Sequence, residues 1–178
     1  MRLTIVPFGS AAGELPRHIA RRLRAILPWR FSVAPCLPDP VPQLQALTIS
    51  VEQVLALLPD GGRHDELTIA LTGLDLSAPG LDYVFGYAAP ERHAGAVSLY
   101  RLVGETDGRR HRRRLLVERA SKEVLHEAGH LMGLGHCDDV MCVMRYSQVL
   151  QDTDIKRCQF CTRCLKELSR MPEPAGER

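Results

Sequence analysis

Residues 126–137 read His-Glu-Ala-Gly-His-Leu-Met-Gly-Leu-Gly-His-Cys, and this run constrains the fold more than any other part of the chain. Leu116, Ala120, Val124, Ala128 and Leu131 recur at the spacing of a helix with one apolar face. His126 and His130 therefore project from the same side of that helix, one turn apart. Two imidazoles so placed reach a single zinc ion at about 2.0–2.1 Å. Glu127 follows the first of them, close enough to meet a metal-bound water without being a ligand itself. Gly133 and Gly135 let the chain leave the helix, because glycine accepts the left-handed conformation at a helix end. His136 then swings back as a third nitrogen donor. Three histidines leave a fourth position open, the pattern of a catalytic rather than a structural zinc.

The cysteines point to a second metal. Five of the six fall between Cys137 and Cys164, and the N-terminal apolar stretch is broken by Pro7 and Gly9, too short for a secretory signal. A cluster of that kind in a reducing compartment reads as a metal site rather than a disulfide framework. Two pairs, one of them at CxxC spacing, suit a tetrahedral zinc held by four thiolates. The closing pair is ambiguous, since Cys158/Cys161 and Cys161/Cys164 are both CxxC. Cys36 stands alone and reads as a buried apolar residue.

The 178 residues make about one domain, with 45% apolar and 25% charged residues as in ordinary globular chains. A formal net charge of +2 gives no global reason to expect nucleic acid or membrane, and no apolar run approaches the roughly 18 residues of a membrane span. The chain is expected to be a cytoplasmic monomer. Residues 3–8 read as a first strand, 14–27 as an amphipathic helix, 29–35 as a strand, 43–58 as a second helix and 67–71 as a strand covered on both faces. That alternation favours parallel pairs with crossover helices. Residues 74–95 read as a long loop with short extended pieces, and 96–102 as a further strand. Arg109–Arg114 reads as a solvated loop leading into the helix that carries the histidines.

HEAGHLMGLGH matches the metzincin signature HExxHxxGxxH, with Met144 in Cys142-Val-Met144 at the place of a Met-turn. The order HExxHxxGxxHC, CxM, CxxC resembles the archaemetzincin family, and the resemblance runs from about residue 70 to 168 through GLDYVFGYA (80–88) and GAVSLYRL (95–102). It implies an α+β, zincin-like single domain over residues 1–170. Residues 1–113 would form a mixed, twisted sheet with an antiparallel edge strand and backing helices. Residues 114–133 would form the active-site helix, 134–170 the Met-turn and a four-cysteine zinc subdomain, and 171–178 a flexible tail. It also implies two zinc ions: a catalytic one on His126, His130 and His136, and a structural one on Cys137, Cys142, Cys161 and Cys164, leaving Cys158 a spare thiol. The implied activity is hydrolysis of peptide or protein substrates through a zinc-bound water, with Glu127 as general base and acid. The substrate would pair with an edge strand, for which residues 96–102 are the candidate. The alternative is a zinc-stabilised peptide-binding protein with little hydrolysis, which leaves Glu127 without a use. A zinc-ribbon nucleic-acid module would use the cysteines and the arginine run but leaves the three histidines unexplained.

Overall fold

The run Leu67-Thr-Ile-Ala-Leu71 is the middle of a five-stranded sheet in the computed structural model, which describes residues 1–11, 13–40, 48–59, 65–104 and 108–170. The sheet comprises β1 (Arg2–Pro7), β2 (Arg30–Val33), β4 (Glu66–Thr72), β7 (Gly86–Ala89) and β8 (Ala94–Ser98), in the order β2-β1-β4-β8-β7. β1 is parallel to β2 and β4, and β4 to β8, whereas β7 runs antiparallel at the edge. The α+β arrangement with a mixed sheet is thus present. Leu67, Ile69 and Leu71 face one core, with Leu3, Ile5 and Val97. Ala70 faces the other, with Val6 and Ala96. A strand packed on both sides needs apolar residues at successive positions, which is why this run does not alternate.

Helices α1 (Leu15–Arg24) and α3 (Arg109–Leu131) cover the first face. α1 buries Pro16, Ile19, Ala20 and Leu23 and leaves Arg17, Arg21, Arg22 and Arg24 in solvent. The second face is covered by α2 (Val51–Leu55) and a three-stranded sheet of β3 (Thr48–Ser50), β5 (Asp75–Ala78) and β6 (Leu81–Val84). α4 (Leu150–Ile155) and α5 (Thr162–Arg170) complete the chain, and residues 171–178 lie outside the described residues. Among the described residues no helix is long and apolar enough to cross a membrane.

Several elements differ from the sequence reading. Of the helix expected at 43–58, residues 43–47 lie outside the described part and Thr48–Ser50 is a strand. The helix starts only at Val51, where the Gln53 side chain accepts the Ser50 backbone N–H at 3.0 Å in a capping box. The loop expected after residue 74 is largely strand. Pro79-Gly80, with Gly80 at φ 77°, is the turn of the β5–β6 hairpin rather than a chain break. The strand expected at 96–102 runs from Ala94 to Ser98 and is not an edge, because β7 pairs along its outer side. Cys36 is exposed, not buried. Arg109–Arg114 is not a loop but the first six residues of α3.

α3 begins in solvent and ends in the interior. From Arg119 to Gly129 every residue is buried, including Arg119, Lys122 and Glu123. Charges at such depth must be paired, and most of the partners come from α4 and the residue after it. Arg119 grips Asp154 with two hydrogen bonds of 2.7 and 2.8 Å and also donates to the Leu102 and Val103 carbonyls. Lys122 donates to the carbonyls of Thr153 and Asp154. Lys156, fully buried, lies 3.0 Å from Glu123, which also accepts the Thr153 hydroxyl at 2.9 Å. Removing one partner of a buried pair strands the other charge. Lys156→Met should therefore lower unfolding free energy by about 3–5 kcal/mol, and adding Glu123→Gln should restore much of it. Denaturant titration of the two variants checks this, and a cost under about 1 kcal/mol for the single change would mean the pair is not sealed from water.

Candidate metal centre

The centre is built on the last turns of α3 and the segment that follows. α3 ends at Leu131, and Gly133 at φ 91° takes the left-handed position that turns the chain back; Gly135 does not need a positive φ. His126, His130 and His136 each bring a ring nitrogen to one place, these atoms lying within 4.8 Å of one another. The Nε2 atoms of His126 and His130 are 3.0 Å apart. Each ring is oriented by its other nitrogen: Nδ1 of His126 donates to the Val143 carbonyl and Nδ1 of His130 to the Leu134 carbonyl, both at 2.8 Å. A carbonyl can only accept, so the protons sit on Nδ1 and the lone pairs on Nε2. Burial holds His126 well below the ordinary imidazole range, with nearby Lys156 and His130 adding to the effect, and burial also lowers His130 and His136. Neutral rings with lone pairs converging at that distance repel one another unless a cation lies between them. The donor set fits zinc.

Glu127 is almost fully buried beside this cluster. Burial raises its carboxyl well above the ordinary range; Glu123 one turn back raises it further, and Lys156 opposes. Across from it lies Gly86 of β7, where a Cβ would overlap the Glu127 side chain. Only glycine leaves the carboxylate its place. Behind the histidines, Met144 is fully buried against Gly129, where a Cβ would overlap its sulfur. The whole opens into a cleft of about 770 Å³ whose walls include Tyr83, Phe85, Gly86, Glu127, His136 and Tyr146. Tyr146 sets its ring edge-on to His136 at 5.0 Å, and the Tyr83 hydroxyl donates to the Gln148 carbonyl at 2.8 Å, linking β6 to the segment after Met144. Gly86, Tyr83 and Tyr146 escaped the sequence reading, because no motif spacing ties them to the histidines.

A second cluster lies directly behind. The sulfurs of Cys137, Cys142, Cys161 and Cys164 lie within 4.8 Å of one another. The Cys137 and Cys161 sulfurs are 3.8 Å apart, and those of Cys142 and Cys164 3.7 Å. Cys158 is not in this group. It is buried near Arg22 and Lys122, and burial pushes its thiol up to about 11. Cys161 is different: burial works against its thiolate, but hydrogen bonds from Cys164, Cys142 and Cys137 bring it down to about 7. Arg163 donates to the Cys137 sulfur at 3.2 Å.

Known proteins resemble this chain in sequence and in fold. The family described as peptidase family M54 matches residues 41–170. An archaemetzincin of Pyrococcus horikoshii is 45% identical over 102 residues, covering 57% of this chain and 54% of that protein. One of Methanocaldococcus jannaschii is 31% identical over 173 residues, covering 94% and 93%. The chain thus spans about half the length of the Pyrococcus relative and nearly all of the Methanocaldococcus one. The crystal structure of archaemetzincin from Archaeoglobus fulgidus, complexed with malonate, superposes with a TM-score of 0.78 at 30% identity, covering 94% of this chain and 99% of that one. The fold and the two donor clusters define a metzincin-type peptidase scaffold. Within that class, the chain belongs to peptidase family M54, the archaemetzincins.

The segment bearing Tyr146 is held by Asp152, whose carboxylate accepts the Gln148 and Val149 backbone N–H groups at 2.9 and 3.0 Å. Those bonds, Val149 first, depress its pKa below the ordinary carboxylate value. The folded form therefore favours the ionised group, and its contribution is complete above the unfolded value of about 3.9 and lost as pH falls through the lower folded value. Asp152→Ala should cost about 1 kcal/mol at pH 7, and the gap to the unmutated protein should shrink below about pH 4. Thermal unfolding in chelator across that range tests it; a gap constant down to pH 2 would contradict it.

Proposed function

We propose that this chain is a zinc-dependent metallopeptidase with one catalytic zinc on His126, His130 and His136 and one structural zinc on Cys137, Cys142, Cys161 and Cys164. The observation that carries the reading is the junction of three neutral, converging imidazoles with a buried carboxylate on the adjacent residue, in a cleft open to an edge strand. Bound there, zinc lowers the pKa of a water toward neutrality and polarises the scissile carbonyl.

The remaining work falls to the chain's own residues. Glu127 takes the proton of the attacking water and hands it to the leaving amine, and a carboxyl whose pKa is raised by burial suits a group that must both accept and release a proton near neutrality. Gly86 keeps the space beside that carboxylate open. The outer side of β7 lies at the end of the sheet, so an extended peptide can add to it as a further strand and pass Glu127. Val143 and Leu134 hold two of the imidazoles in the tautomer that leaves Nε2 free. The four thiolates carry no chemistry in the reaction and act as an anchor.

Glu127→Gln keeps the shape of the side chain and removes its basicity. Peptide turnover should fall by roughly 10²–10⁴-fold while both zinc ions stay bound, and a chelator should abolish activity in the unmutated protein. Mass-spectrometric profiling of a peptide library together with metal analysis reads both. Undiminished turnover in Glu127→Gln would exclude this mechanism. Peptide binding without turnover in the zinc-loaded, unmutated protein would assign the cleft to binding alone.

A further inference from the structure

We infer that the outer face formed by α1 and the first turns of α3 binds the phosphate backbone of a double-helical nucleic acid. In the sequence, Arg109–Arg114 is an isolated run. The structure places it on a helix beside a second arginine-bearing helix. Arg113 reaches Glu14 at the start of α1 at 3.6 Å, and Arg22 near its end reaches Glu118 at 4.0 Å, so the two helices lie side by side and run the same way. Arg17, Arg21, Arg22 and Arg24 are exposed on α1, and Arg109, Arg110, Arg112, Arg113 and Arg114 on α3. Segments 14–24 and 105–114 together hold nine arginines against Glu14, Glu105 and Asp107, in a chain whose formal net charge is only +2. The rest of the protein is therefore net acidic, and the positive charge is concentrated here.

Three features select the partner. Every cation in both segments is arginine and none is lysine, and the guanidinium fork matches phosphate oxygens two at a time. The apolar stripe of α1, Pro16, Ile19, Ala20 and Leu23, is buried in the core, so the face has nothing to insert between lipids, as a membrane-surface helix must. No aromatic residue lies within either segment to stack on an unpaired base, which favours a duplex backbone over a single strand. The face is also remote from the cleft. Arg110 lies sixteen residues before His126 on one helix, roughly 24 Å along its axis, so a bound duplex leaves the metal centre open.

The test is fluorescence anisotropy of the zinc-loaded protein with a 20-base-pair DNA duplex of mixed sequence, titrated in 50 to 200 mM salt. Four to six phosphate contacts predict that the affinity falls roughly 10²–10³-fold across that range. The variant Arg17→Glu/Arg21→Glu/Arg110→Glu should weaken binding at least about tenfold and reduce the salt slope by about three. Lys166→Glu/Arg170→Glu reverses two charges on α5, outside both arginine segments, and should stay within about threefold of the unmutated protein. Retained zinc content shows that each variant is folded. No duplex binding at 50 mM salt, or equal losses in the two variants, would overturn the inference. Binding to phosphatidylserine vesicles without binding to the duplex would give the face to a membrane and overturn it as well.

Discussion

Everything at the metal centre hangs on the segment between Leu134 and Met144. Its two ends supply the carbonyls that orient the helical histidines, Leu134 for His130 and Val143 for His126. Between them it carries His136 and, on the next residue, Cys137. The Cys137 N–H closes the segment on the Met144 carbonyl at 2.9 Å, and the Val143 N–H binds the Gln159 carbonyl at 2.9 Å. A segment without regular secondary structure holds such geometry poorly by itself. The proposed structural zinc on four cysteine sulfurs at its back would fix it at Cys137 and Cys142, and tie it to Cys161 and to Cys164 of α5. On that proposal the two donor clusters are one construction: the sulfurs set the backbone, and the backbone sets the nitrogens.

A second restraint comes from the buried charges on α3. Arg119, Lys122 and Glu123 are held by Asp154, by backbone carbonyls of α4 and by Lys156, so α4 is locked to the helix that carries His126 and Glu127. Lys156 also reaches the Arg145 carbonyl at 3.4 Å, at the start of the segment that bears Tyr146 and Gln148. Around the metal centre, glycine marks two places of close approach: Gly129 against Met144 and Gly86 against Glu127. The polar side of α3 is tolerated inside because Arg119, Lys122 and Glu123 each have a partner.

What the sequence revealed follows from how local each signal is. The histidines, Glu127 and the helix end at Gly133 lie within one short run, where helical geometry alone relates them. The strand at 66–72 was legible because burial on both faces leaves a continuous apolar stretch. Thr48–Ser50 was not, since three residues beside a short capped helix carry no period of their own. β7 was hidden for a related reason: Gly86-Tyr-Ala-Ala is poor in β-branched residues, and its role as edge strand depends on pairing with β8. The arginine run could not be read as helix because its six residues have no apolar face; they are helical because they continue α3 outward. Nothing near Lys156 in the sequence marks it as buried, because its partner Glu123 is brought against it only by the fold.

The claim that the cysteine cluster holds the third histidine is open to one direct measurement. Cys142→Ser removes a thiolate from the sulfur cluster without touching any group in the cleft. Zinc content and affinity can then be followed at each cluster by native mass spectrometry with graded chelator. If the sulfurs fix the backbone at His136, losing the structural zinc should weaken the histidine-bound zinc by roughly 10–100-fold, the range seen when supporting partners of metal ligands are removed. Full retention of the histidine-bound zinc, at unchanged affinity, would contradict the account.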